Sequence, residues 1–143
     1  MIKALFFGLA TLAFGFVSAQ DQNPPAATSG AKIVFAETSH NFGNVIEGEI
    51  ARYEFKFTNT GTEPLVLQNV QASCGCTTPK WPREPIAAGA SAVITAEYNS
   101  NGRPGTFNKS ITVTSNGGEV VLHINGLVVP EPSKPKSPVI IKG

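Results

Sequence analysis

The chain has 143 residues, 41% of them hydrophobic, and a formal net charge of +1. That is enough for one domain with its own core. Without Lys3, ten basic residues face ten acidic ones, so no basic field draws the chain to nucleic acid or anionic lipid.

Taken in chain order, Lys3 precedes an uncharged apolar run over residues 4–17. Val17-Ser18-Ala19 then presents small residues at the positions signal peptidase reads. Residues 1–19 are therefore expected to be a cleaved signal peptide, with Gln20 as the new N-terminus. The apolar run is shorter than the roughly 20 residues needed to span a bilayer, so no membrane insertion is expected after cleavage. The expected destination is exported, periplasmic or extracellular, where disulfides form and persist. Residues 20–30 are rich in Asn, Pro, Ala, Ser and Gly and predict a flexible leader.

Residues 31–129 carry period-two patterns. Tyr53, Phe55 and Phe57 alternate with Arg52, Glu54 and Lys56 over 50–58. Phe107, Ile111 and Val113 share one face over 107–114. Val120, Leu122 and Ile124 do so over 119–126, with Val121, His123 and Asn125 opposite. Shorter β-rich runs lie at 32–36, 65–70 and 92–98. Turn chemistry separates them at Asn59-Thr60-Gly61-Thr62, Ala88-Gly89, 101–105 and Asn116-Gly117-Gly118. With no helical periodicity beyond the leader, the pattern predicts an all-β fold: a single antiparallel β-sandwich of about seven strands. Pro130, Pro132, Pro135 and Pro138 make 130–143 a Pro-rich C-terminal tail that favours polyproline II geometry.

Chemistry concentrates in Ser73-Cys74-Gly75-Cys76-Thr77, which holds both cysteines. Residues two apart on an extended strand lie about 6.6 Å apart at Cα, near the upper limit for a cystine. Gly75 permits conformations that bring them closer. So short a loop restrains the unfolded chain by only about 1.5 kcal/mol, which makes a bond there a poor staple and comparatively easy to reduce. Three readings stay open: an inert cystine or thiol pair, a redox couple, and a Cu(I) clamp of soft thiolates with His40 or His123 as a third ligand. Structural zinc takes four ligands, and the chain has only two cysteines and two histidines.

His40, at a strand-to-turn junction, is expected either to hydrogen-bond the local backbone or to serve as a ligand. His123 falls on the polar face of its strand and is expected to be exposed. Trp81, framed by Pro79 and Pro82, reads either as an anchor for a partner or as a lid on the sandwich. Glu47 and Glu49 flank Gly48 in a turn, which does not give the opposed carboxylates, about 5–9 Å apart, of a glycosidase. Asn108-Lys109-Ser110 matches a glycosylation sequon, taken as chance on a strand. The sole aspartate, Asp21, lies in the leader, and no nucleophile elbow, P-loop or zinc-protease motif is present.

Thr38-Ser39-His40-Asn41-Phe42-Gly43, Glu47-Gly48-Glu49, Phe55-Lys56-Phe57-Thr58-Asn59-Thr60-Gly61, the Cys loop and Gly105-Thr106-Phe107-Asn108-Lys109 occur in an order that resembles the bacterial family "domain of unknown function 1573". Asn41 stands where that family usually has Asp, and Ala88 where Pro commonly precedes Gly89. The resemblance implies an immunoglobulin-like sandwich, similar to the fold of major sperm protein and pilus chaperones, in an exported protein without an assigned activity. Together these readings predict a non-catalytic envelope module that binds another envelope protein and needs no cofactor. The alternative is a thiol-redox or Cu(I)-handling protein acting through Cys74 and Cys76, with His40 as a candidate copper ligand.

Overall fold

The alternation read from the sequence becomes eight strands in the computed structural model, which describes residues 30–133. The expected signal peptide, residues 20–29 of the leader and residues 134–143 of the tail lie outside the described residues. The strands are β1 (Ile33–Phe35), β2 (Ser39–Ile46), β3 (Ile50–Asn59), β4 (Leu67–Ala72), β5 (Thr77–Lys80), β6 (Ser91–Asn99), β7 (Gly105–Ser115) and β8 (Gly118–Val129). They form two four-stranded sheets, ordered β1-β3-β6-β5 and β2-β8-β7-β4. Packed face to face, the sheets make an immunoglobulin-like β-sandwich.

Two features differ from the expectation of about seven antiparallel strands. β2 and β5 are additional, and β2 pairs with β8 in parallel, matching His40 with Ile124 and Val45 with Val128. The cause is local. After β1 the chain leaves the edge of the first sheet through residues 36–38 and joins the edge of the second, beside the last strand. A bulge between Asn41 and Asn44 interrupts β2. There the Gly43 amide donates to Asn41 Oδ1 at 2.8 Å, and Gly43 has φ +65°, a conformation that glycine adopts without a Cβ clash. Asn supplies this acceptor as well as Asp would.

The core follows the two inner faces. Phe55, Phe57, Ile94 and Tyr98 of the first sheet face Phe107, Ile111, Val113, Leu122 and Ile124 of the second, all buried. Tyr98 stacks on Phe107 with ring centroids 4.0 Å apart, and each such side chain contributes on the order of 1.5–3 kcal/mol by leaving water. The outer faces differ from each other. β3 presents Arg52, Glu54 and Lys56, whereas β4 and β7 present Asn69, Gln71, Thr112 and Thr114.

One buried polar side chain joins the sheets' turns. Asn59, fully buried at the end of β3, accepts from the amides of Gly61 (3.0 Å) and Lys32 (3.3 Å). Its Nδ2 donates to the carbonyls of Glu63 (2.7 Å) and Ile86 (3.0 Å). All four side-chain bonds go to backbone, which is how a buried amide avoids a desolvation cost of about 1–3 kcal/mol per orphaned group.

Candidate functional site

The loop after β4 carries the two thiols because β4 stops early. Its register pairs Gln71 with Thr112 and Ala72 with Ile111. Ser73 extends it by one residue, donating its amide to the Ser110 carbonyl (2.8 Å) while its Oγ accepts from the Ser110 amide (3.1 Å). The chain then crosses to the other sheet and enters β5, where Thr77 pairs with Tyr98. Cys74 and Cys76 sit on this crossing, joined as a cystine with Cα atoms 5.3 Å apart, inside the usual range. The Thr77 amide donates to the Cys74 carbonyl (3.3 Å), and Asn99 donates to the Cys76 carbonyl (2.9 Å). The two sulfurs are not equivalent. Cys76 is 7% exposed and part of the core, whereas Cys74 is half-buried at its margin, with Thr77 Oγ1 3.7 Å from its Sγ.

Trp81, just past β5, is half-buried and packs against the core, and the Arg83 guanidinium lies 3.6 Å from its ring centroid. The indole therefore closes the sandwich at the end of β5 away from the Cys loop, and one face of its ring is covered by a cation. On β5, Lys80 Nζ lies 2.8 Å and on β3 Arg52 Nε 3.0 Å from Glu97 Oε1. The Lys80 hydrogen bond is the main cause that holds Glu97 below the usual glutamate range. Desolvation opposes it, and the charges of Arg52 and Lys80 add to it.

His40 is not part of this site. It lies on β2, at one edge of the second sheet, and β8 and β7 separate it from β4 at the other edge. Three strand spacings of about 4.8 Å each put it out of reach of the thiols, so it is no third ligand for a Cu(I) held there. Among the described residues no group of three or more His, Cys, Asp and Glu side chains is placed to hold a metal. The imidazole stacks on Tyr53 instead, with centroids 3.6 Å apart and planes 9° apart, and meets the edge of Phe42. Tyr53 in turn donates to Glu37 Oε2 at 2.7 Å, and that bond raises the phenol above its ordinary pKa, with smaller upward contributions from burial and the Glu37 charge. His123 is exposed on β8, and Glu47 and Glu49 flank Gly48 at the β2–β3 turn.

Sequence reasoning gave Lys109 no role of its own beyond a place in the sequon and in the Gly105–Lys109 run. It occupies the inward register of β7, two residues from buried Phe107 and two from buried Ile111, and is half-buried. The alternation that grouped Phe107, Ile111 and Val113 already placed residue 109 on that face.

Residues 33–128 match the family described as "Protein of unknown function (DUF1573)". The chain belongs to this family. No curated protein matches it. Among solved structures, this DUF1573 domain is similar to the ASH/PapD-like domain 7 of human CEP192, with a TM-score of 0.63 and 9% identity over 90% of this chain and 100% of that one. A protein of unknown function from Porphyromonas gingivalis W83 gives 0.61 and 15% identity over 76% of this chain. The DUF1573 chain spans about half of that protein, 51% of its length. The VesB protease of Vibrio cholerae gives 0.52 and 13% identity, over 68% of this chain and 32% of that one. At such identities the likeness is one of fold, and the fold accompanies several activities.

Proposed function

We propose that this DUF1573 protein is an exported, non-catalytic module that binds another envelope protein by adding a strand of that partner to the free edge of β4. The observation that carries the proposal is the difference among the four sheet edges. β1 has three residues, β5 contains Pro79 and presents Lys80, and β2 is broken by its bulge. These are the devices by which edges are protected from further pairing. β4 shifts register between Leu67 and Asn69, but from Asn69 to Ala72 it runs unbroken beside β7, and the strand carries neither charge nor proline. An exposed edge of this kind supplies main-chain hydrogen bonds to an extended peptide. The PapD-like domain among the similar structures shares this fold, with which a binding module is compatible.

The test is affinity capture from the native cell envelope over a range of salt, with the chain and with Ala72→Pro. Ser73 exchanges its hydrogen bonds with Ser110, so by strand alternation the Ala72 amide points away from β7. Proline there removes a donor from the free edge and spares the β7 ladder. A partner retained by the chain and lost by a folded Ala72→Pro variant is the expected result. Absence of any specific partner at every salt sinks the proposal.

A second reading rests on the Cys loop: a thiol-exchange role in an oxidising compartment. Its support is that the bond closes a loop too short to restrain the unfolded chain much, about 1.5 kcal/mol, while Cys74 lies at the surface margin. Equilibration of the pair against poised glutathione buffers tests it. A cystine that stays oxidised at every ratio of reduced to oxidised glutathione removes this reading.

A further inference from the structure

The two sulfurs of the loop differ in access, and Lys109 lies two residues along β7 from Ile111, the register partner of Ala72. We propose that Cys74 is the sulfur through which the pair exchanges with a partner disulfide, and that Lys109 is the positioning residue that favours its thiolate. The proposal rests on the thiol-exchange reading. Its first support is exposure: Cys76 belongs to the core, and Cys74 lies at its margin.

The second support is register. Ala72 pairs with Ile111 and Ser73 bonds Ser110. Counting one residue further, past the end of β4 where the chain begins its crossing, gives Lys109 as the β7 position nearest in register to Cys74. Val70, Ala72 and Cys74 take the inward positions of their segment, and Phe107, Lys109 and Ile111 those of β7. Lys109 is half-buried on that inward face, and a long cationic side chain so placed keeps its stem among apolar neighbours and its ammonium toward water. The ion pairs of the described residues, Arg52 and Lys80 with Glu97, leave it out.

The registers put uncharged residues at this level: Ile124 of β8 pairs with Lys109, and Thr77 of β5 pairs with Tyr98 of β6, all three partners being buried. The Tyr98 phenol is the other titratable group, and its ring is stacked on Phe107. Thr77 Oγ1, 3.7 Å from the Cys74 sulfur, is placed to donate to a thiolate. An adjacent ammonium and a hydroxyl donor are the surroundings that lower a thiol pKa and raise the thiolate fraction at neutral pH.

In the reduced protein, the Cys74 thiolate attacks one sulfur of a partner disulfide. A Cys74–partner bond forms, and the partner's other sulfur leaves as a thiolate. Cys76, after losing its proton to solvent, attacks the Cys74 sulfur. The Cys74–Cys76 bond forms and the partner's first sulfur leaves. Two electrons pass to the partner, which becomes a dithiol, and the reverse sequence oxidises a dithiol partner.

The experiment uses oxidised glutathione as the probe and mass spectrometry to follow adducts, on the full chain and its Cys76→Ser and Cys74→Ser variants across pH. Cys76→Ser is expected to form the mixed disulfide about tenfold or more faster than Cys74→Ser at neutral pH. Adding Lys109→Gln to Cys76→Ser is expected to slow the reaction about three- to tenfold and move the pH–rate midpoint upward. Lys109→Arg should restore both, and matched urea midpoints separate this from a loss of fold. Equal rates for the two single-cysteine variants, or a Lys109→Gln profile superimposable on its parent, overturns the assignment while thiol exchange stands. A reduced wild-type pair that does not react with oxidised glutathione at any pH removes the thiol-exchange reading itself.

Discussion

Replacing Asn59 with Asp changes one NH2 group to an oxygen in a fully buried side chain. The Lys32 and Gly61 amides keep their acceptor, but the carbonyls of Glu63 and Ile86 lose the donor that served both. A protonated aspartate can satisfy one of the two, and an ionised one satisfies neither and buries a charge. With each orphaned group costing about 1–3 kcal/mol, the expected loss is about 3–5 kcal/mol, a large share of the 5–15 kcal/mol typical of a domain. At about 4–8 °C per kcal/mol for this size, the melting temperature should fall by at least about 12 °C. The sign with pH follows from burial. The carboxyl's folded pKa lies above its unfolded value near 3.9, so the native state binds more protons between the two, and the variant loses stability as pH rises through that window. Urea unfolding followed by circular dichroism at pH 5 and pH 7 should show the larger deficit at pH 7. Asn116→Asp is the matched control. Asn116 also bridges a backbone amide and a carbonyl, Val66 (2.8 Å) and Pro64 (3.0 Å), but it is exposed, and water replaces the lost bond at a cost near 1 kcal/mol or less. Equal losses for the two variants would refute the argument that burial sets the penalty.

Gly61→Ala would bring a Cβ against backbone, 2.7 Å from the Lys32 amide nitrogen and 2.9 Å from the Ala31 carbonyl carbon. A loss of about 1–3 kcal/mol is expected, with faster amide exchange at Thr62, which donates to Gly30. Trp81→Ala uncovers the core margin and releases Arg83. It should lower stability by about 2 kcal/mol, and an unchanged urea midpoint by circular dichroism would show that the indole is no lid. Because Glu97's folded pKa is lowered, the stability it contributes is present above the ordinary glutamate value and is lost as pH falls through the lowered one. Glu97→Gln should therefore be less stable than the parent at pH 7, and the gap between their urea midpoints should narrow on acidification toward pH 3. A constant gap would mean that the pair with Lys80 and Arg52 adds nothing to folding.

Strands whose side chains alternate were legible. Phe55 and Phe57 against Glu54 and Lys56, or Leu122 and Ile124 against Val121 and His123, announce both the strand and its buried face. β2 and β5 do not alternate in this way. Ser39-His40-Asn41-Phe42-Gly43-Asn44 is an edge segment with a bulge, and β5 is four residues long with a proline inside. Their pairing comes from strands far away in sequence, which local pattern does not register. Asn59 was visible as turn chemistry, but its burial depends on Lys32 and Ile86, each 27 residues away. The Cys pair was conspicuous in the sequence. The level of Lys109 relative to the end of β4 was not, because it exists only once β4 and β7 are in register. His40 and the thiols could be joined on paper, and only the strand order puts them on opposite edges.

The parallel pairing of β2 with β8 also decides how the domain bears load. These are the first strand of the second sheet and the last strand of the chain's fold, and they point the same way. Tension applied between residues 39 and 129 pulls them lengthwise past each other, so their hydrogen bonds are strained together and do not open one at a time. An antiparallel hairpin pulled from its open end peels in sequence. If a module of this kind is held at one end and bound at the other in a cell envelope under stress, this pair acts as a shear clamp across the whole sandwich.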